Sequence, residues 1–183
     1  MRFSVYGFCA GLALLPAVPA FAGDAVQRLE AELTAAPSAT QLLTQKCAML
    51  KLASPPLIRA VRENIDVPAS AQVRAALDVG PDTVLRYRRV NLTCGTHVLS
   101  QADNWYVPSR LSDDMNRTLD TTETSFGTVV KPLNFHRKTL KMEPLDDPAH
   151  SLRVTAVLLT PAEVPFSLVV ENYAREMATG DKP

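Results

Sequence analysis

The sequence predicts an α+β domain built on a single antiparallel β-sheet of about five or six strands, with helices packed on it. Two observations support this prediction. Helix-type patterns come first in the chain and strand-type patterns follow, with one further helical segment between them. The strand-type runs are joined by short breaks, which are typical of antiparallel hairpins. Helices and strands that are kept apart along a chain favour α+β over alternating α/β folds.

Residues 1–22 have the features of an export signal. Arg2 supplies a positive charge, an apolar stretch covers residues 5–20, and Ala20-Phe21-Ala22 matches an A-x-A cleavage site. We expect cleavage between Ala22 and Gly23, a periplasmic or secreted location, and a single domain at residues 23–183. A membrane anchor is disfavoured because the segment is short and contains two prolines.

The composition of the mature chain limits the classes of partner. Cleavage would leave 183 − 22 = 161 residues, enough for one sizeable core. Loss of Arg2 leaves 19 − 1 = 18 basic residues against 19 acidic ones, which argues against a nucleic-acid partner. No later stretch is apolar for long enough to span a bilayer. We expect a monomer.

Two cysteines, Cys47 and Cys94, remain after cleavage. In an oxidising compartment they could form one disulfide. The alternative is a pair of buried free thiols, and the sequence leaves both open.

The predicted helices share apolar residues every three or four positions and a capping residue at the first turn. They run over residues 24–36 with Asp24 as the cap, from Ser38 or Thr40 to about Leu52, over 71–77, and from Ser112 to about Leu119.

The predicted strands are rich in β-branched and aromatic residues and are bounded by glycine or proline. They cover residues 57–65 (where a helical turn is the alternative), 82–94 and 98–107 on either side of a Gly-Thr-His break, 135–142, 152–160 and 165–173.

The sequence lacks the motifs of several common functions. It has no glycine-rich phosphate or dinucleotide loop, no HExxH, no CxxC and no serine-hydrolase elbow. Its three histidines are scattered along the chain. We therefore expect neither a metal nor a cofactor.

Three arginines, Arg86, Arg88 and Arg89, lie in the first strand of the central hairpin. An arginine that points inward must meet a negative partner, because an unpaired buried charge costs several kcal/mol. The partner could belong to the protein or to a ligand. Val90 and Leu92 share the strand alternation of Arg88, not of Arg89.

Glu171 lies in the middle of an otherwise apolar strand, where a carboxylate is unexpected. It could face solvent or pair with a strand arginine. The alternative is a partly desolvated acid that exchanges a proton with a bound ligand.

A set of short matches extends over roughly residues 38–175. It comprises Arg89 with Cys94 five residues later, the strand end at Val107-Pro108, the segment Thr124-Ser125-Phe126-Gly127, and the strand from Pro165 to Glu171. In these features the chain resembles the chorismate lyase family, whose members resemble the ligand-sensing domains of some transcription regulators. The family has a Thr-Pro-Leu-Gly turn where this chain has Thr-Ser-Phe-Gly.

The resemblance implies roles for individual residues. Arg89 would grip a substrate carboxylate, which suits the planar fork of a guanidinium. Phe126 and Gly127 would contact the ligand from their turn, and Glu171 would be the catalytic acid. A helix position near Cys47, with Met49 as the alternative, would touch the ring. The implied reaction eliminates pyruvate from chorismate to give 4-hydroxybenzoate, with no metal or cofactor.

Two departures from the family support other interpretations. Asn104 stands where the family has a second arginine, and Arg88 or Arg110 would have to compensate for it. Chorismate is a cytoplasmic metabolite, whereas this chain carries an export signal. The alternative function is a non-catalytic periplasmic binding module for a small aromatic or cyclic carboxylate. A third interpretation is a structural protein with a filled pocket, in which Arg89 pairs with Glu171.

Overall fold

The computed structural model describes residues 20–180, with side chains from Gly23 onward. Residues 1–19 of the expected export signal lie outside the described residues, so export stays a prediction. Among the described residues, no helix combines the length and the apolar character that a membrane span requires.

In the described part of the chain, one six-stranded antiparallel sheet carries the helices, and this confirms the predicted α+β fold. The spatial order is β1-β2-β3-β6-β5-β4. The strands are β1 (Ile58–Glu63), β2 (Arg86–Cys94), β3 (His97–Tyr106), β4 (His136–Pro144), β5 (His150–Leu159) and β6 (Pro165–Ala174). The ambiguous segment at 57–65 is therefore a strand, since it pairs along its length with β2.

The helices are α1 (Ala20–Ala35), α2 (Ala39–Met49), α3 (Ala71–Ala76), α4 (Asp113–Thr121), α5 (Phe126–Val129) and α6 (Arg175–Thr179). Serines cap three of them: the side chains of Ser38, Ser70 and Ser112 each accept the backbone N–H three residues later. Asp24 is not a cap, because α1 already begins at Ala20. The sequence patterns predicted neither α5 nor α6.

The two faces of the sheet are covered by different helices. Along β2, Arg88, Val90 and Leu92 are buried, whereas Tyr87 and Arg89 are only partly buried. We call the face that carries Arg88, Val90 and Leu92 the inner face. It packs against α1, α2 and α6 in the largest apolar cluster. The opposite, outer face packs with α3. Residues that are adjacent in β2 therefore have different surroundings.

A disulfide joins Cys47 in α2 to Cys94 at the end of β2, with 6.0 Å between their Cα atoms. Both cysteines are fully buried. Of the two states left open by the sequence, the structure has the bonded one. The disulfide attaches the C-terminal half of α2 to the sheet, while the first residues of α2 lie at the cavity described next.

Candidate functional site: a cavity on the inner face of the sheet

A cavity of about 50 Å³ lies between the inner face of the sheet and the first residues of α2 and α5. This volume is space for roughly three to five water molecules. Charged and polar side chains from four strands line it: Arg88 lies on β2, Asn104 on β3, Arg137 on β4 and Glu171 on β6. The apolar walls are formed by Val90, Leu92, Ala102, Phe126, Phe135, Leu158 and Val169.

Arg88 is the cation at the β2 side of the cavity. It is only 2% exposed, and its Nε and Nη1 atoms have no hydrogen-bond partner among residues 20–180. Burial lowers the pKa of Arg88, and the nearby positive charge of Arg62 lowers it further. A buried guanidinium in this condition lacks the anion that such groups normally have.

Asn104 lies directly across from Arg88 in the β2–β3 ladder. The Ser167 hydroxyl donates a 2.6 Å hydrogen bond to Oδ1 of Asn104, so this oxygen is occupied. The amide Nδ2 of Asn104 has no partner within the described part of the chain. It is therefore a second donor available to a ligand beside Arg88.

Glu171 and Arg137 form a buried ion pair at the other side of the cavity. Nη2 of Arg137 donates to Oε2 of Glu171 at 2.6 Å, and both side chains are less than a tenth exposed. The Tyr173 hydroxyl donates to the same oxygen at 2.9 Å. Burial and the neighbouring Glu171 charge raise the pKa of Tyr173, which keeps this hydroxyl protonated as a donor.

Gly127 allows α5 to approach the start of α2 closely. A Cβ atom at this position would lie 2.9 Å from Oγ1 of Thr40, which is closer than carbon and oxygen normally approach. Ser38 and Thr40 of the α2 start, together with Gly127 and Phe135, also line a groove on the surface. The cavity and this groove are thus adjacent, and a ligand larger than the cavity could extend into the groove.

Several residues expected at the site lie elsewhere. Arg89 is on the outer face, where its Nε donates to Asp103 at 2.7 Å. The alternation of β2 directs Arg88 inward, so Arg89 must point outward. The sulfur of Cys47 belongs to the disulfide, and Met49 is 76% exposed. Arg110 binds backbone carbonyls, including that of Leu77, and does not line the cavity.

The other expected residues do line the cavity: Arg88, Asn104, Phe126, Gly127 and Glu171. The sequence interpretation missed Arg137. Its only sequence signal was the alternation of the strand that contains it, in which charged residues occur on both faces. The interpretation of Arg89 and Glu171 as a pair within a filled pocket is wrong. Glu171 pairs with Arg137, and side chains leave a cavity of about 50 Å³ beside this pair.

Comparison with solved structures finds distant likenesses. The effector domain of PhnF from Mycobacterium smegmatis matches with a TM-score of 0.49 and 11% identity, covering 70% of this chain and 89% of that one. The effector-binding domain of the trehalose repressor TreR of Bacillus subtilis matches with a TM-score of 0.44 and 10% identity, covering 63% and 90%. The possible transcriptional regulator YydK of Bacillus subtilis matches with a TM-score of 0.49 and 12% identity, but this chain covers only 59% of its length.

Sequence comparison finds a nearer relative. No family model matches the chain. The uncharacterized protein y4mC of Sinorhizobium fredii is 38% identical over an alignment of 177 positions, and the match covers 83% of this chain and 74% of that protein. Identity of this size over most of both chains means that the protein described here belongs to the same family as y4mC.

Proposed function

We propose that this protein is a binding module that holds the carboxylate of a small organic acid in the inner-face cavity, with Arg88 as the principal anchor. The observation that carries the proposal is the buried guanidinium of Arg88, whose Nε and Nη1 lack partners among residues 20–180. A carboxylate would supply both the charge and the two acceptor oxygens that a guanidinium fork accommodates.

The surroundings of Arg88 also suit such a ligand. The amide Nδ2 of Asn104 is a neighbouring donor without a partner in the described residues. The first residues of α2 line the same cavity, and the N-terminal end of a helix favours negative charge. The walls are aliphatic and aromatic side chains, which suit an apolar body attached to the carboxylate.

Isothermal titration calorimetry with a panel of benzoates and short-chain carboxylates tests this proposal. Arg88→Ala should weaken binding by roughly 10- to 150-fold, the equivalent of about 1.5–3 kcal/mol for a hydrogen bond to a charged group. Arg89→Ala is the matched control, because it removes the adjacent arginine from the outer face. The proposal fails if no panel member binds, or if the two substitutions weaken binding equally.

A chorismate lyase-like activity is the second candidate. The observation that favours it is the presence of Glu171 in the same cavity as Arg88. Two features weigh against it. Arg137 and Tyr173 already engage the carboxylate of Glu171. Chorismate is a dicarboxylate, whereas of the two arginines that line the cavity Arg137 is already paired with Glu171.

Incubation of the purified protein with chorismate tests the second candidate. Formation of 4-hydroxybenzoate above the buffer rate, lost in Glu171→Gln, would support it. The absence of product at high protein concentration would exclude lyase activity and leave carboxylate binding as the function.

We also propose that the protein is exported to the periplasm. The Cys47–Cys94 disulfide supports it, because such bonds persist in oxidising compartments and are rare in the cytosol. Cell fractionation followed by mass spectrometry should find a periplasmic or secreted chain that begins at Gly23. Recovery of the intact chain in the cytosol, with both thiols reduced, would contradict export.

A further inference from the structure

The ionisable side chains that line the cavity carry a net charge of +1. Arg88 and Arg137 contribute two positive charges and Glu171 contributes one negative charge, so the sum is 2 − 1 = +1. Arg62 and Asp120 lie close enough to act on Arg88, but both are exposed and their charges are opposite. One ligand charge would therefore neutralise the site.

The polar atoms left without partners around the cavity are mainly donors. Within residues 20–180 they include Nε and Nη1 of Arg88, Nδ2 of Asn104 and Nε of Arg137. None of these atoms can accept a hydrogen bond. Acceptor oxygens of an anion match them, whereas a second cation in the ligand would not.

We infer that the cavity selects monocarboxylates against dicarboxylates, and that the neutral donor Asn104, directly across from Arg88, is the residue that sets this preference. The inference rests on the proposed carboxylate-binding function. A second carboxylate would enter a site in which Glu171 already neutralises Arg137. It would be desolvated without a cation and would lie near the like charge of Glu171.

Pairs of ligands that share shape but differ by one charge test the selectivity. 4-Nitrobenzoate and terephthalate form one such pair, and succinamate and succinate form a smaller pair suited to the cavity volume. Calorimetry at pH 7.5 should show the monocarboxylate of at least one pair binding roughly 100-fold more tightly than its dicarboxylate partner.

Asn104→Asp is the variant that isolates the role of Asn104. It keeps the side-chain shape, replaces the donor by an acceptor and gives Arg88 an internal carboxylate, so the cavity charge falls to zero. We expect the melting temperature to rise while monocarboxylate affinity falls at least tenfold. A merely structural Asn104 would produce no rise in stability.

Glu171→Gln tests the effect of raising the positive charge of the cavity, whereas Asn104→Asp lowers it. This nearly isosteric change raises the cavity charge to two, and we expect the ratio of monocarboxylate to dicarboxylate affinity to fall at least tenfold. Circular dichroism and a melting curve establish that the variant is folded; if it is not, the affinities of the ligand pairs for the wild-type protein decide the selectivity.

The possible results separate the two proposals. If the wild-type protein binds both members of a pair equally, or binds the dicarboxylate more tightly, the selectivity is overturned and carboxylate binding by Arg88 stands. If no member of either pair and no benzoate binds, carboxylate binding itself is overturned. Loss of discrimination in Glu171→Gln, together with loss of binding in Asn104→Asp, supports the inference.

Discussion

The burial of the Arg88 guanidinium lowers the stability of the ligand-free protein. A charged side chain that is 2% exposed has given up its hydration, and its Nε and Nη1 receive nothing in return from residues 20–180. Such a group is retained when it serves binding, because the ligand then provides the interactions that the fold does not. Stability and binding should therefore respond to its removal in opposite directions.

Arg88→Met should stabilise the ligand-free protein by about 1–3 kcal/mol while it removes carboxylate binding. Methionine has a similar length and fills the apolar surroundings without a charge to desolvate. Urea unfolding of both proteins measures the difference. Arg89→Met is the control, because it breaks a partly exposed ion pair with Asp103 and should cost at most about 1 kcal/mol. A less stable Arg88→Met variant would show that the guanidinium has a structural role.

The Arg137–Glu171 pair should behave as a coupled unit. Arg137→Met should destabilise the protein by about 3–5 kcal/mol, because it leaves Glu171 buried without its cation. The double variant Arg137→Met, Glu171→Gln should lose much less than the sum of the two single losses. Denaturant unfolding of the four proteins gives the coupling energy. Additive losses would mean that the two charges do not stabilise one another.

At the scale of the elements, the cavity depends on how α2 is held against the sheet. Its C-terminal half is attached to β2 through the Cys47–Cys94 disulfide. At its start, Thr40 lies so close to Gly127 in α5 that no side chain fits between them. The inner-face site is therefore a junction of one long helix, one short helix and the sheet.

Removal of the disulfide should loosen this junction. The bond closes a loop with a sequence separation of 47, for which chain entropy predicts about 4 kcal/mol of stabilisation. The Cys47→Ala, Cys94→Ala variant should therefore unfold at lower urea concentration, and a reductant should lower the wild-type midpoint in the same way. An unchanged midpoint under reducing conditions would mean that packing alone holds α2 in place.

For the whole molecule, ligand binding should appear as thermal stabilisation. A carboxylate at one hundred times its dissociation constant should add about 2.7 kcal/mol to the free energy of unfolding. For a domain of this size that corresponds to a rise of roughly 5–10 °C in melting temperature. Differential scanning fluorimetry measures the shift, and Arg88→Met should show none. An equal shift in both proteins would place the ligand outside the inner-face cavity.

The elements were largely predictable because their signals are local. Composition and period-two alternation predicted the six strands, with a helical turn left as the alternative at 57–65. Ser38 (or Thr40), Ser70 and Ser112 marked helix starts, since a serine cap acts within one turn. The short helices α5 and α6 were missed, because four or five residues are too few to establish a helical period. Asp24 was wrongly predicted as a cap, because α1 extends on its N-terminal side to Ala20.

The sequence by itself determined the fold class and the strands of the sheet. It also showed that these strands contain a cation and an acid at positions where apolar residues are expected. The alternation of β2 grouped Arg88 with Val90 and Leu92, whereas the family resemblance indicated Arg89, so the sequence left open which arginine faces inward. Only the tertiary structure decided that Glu171 meets Arg137, that Cys47 meets Cys94, and that Arg88 meets no anion of the described chain. Alternation and capping act between neighbours in sequence, whereas these contacts join residues 34 and 47 positions apart and arise only when the sheet and helices pack together.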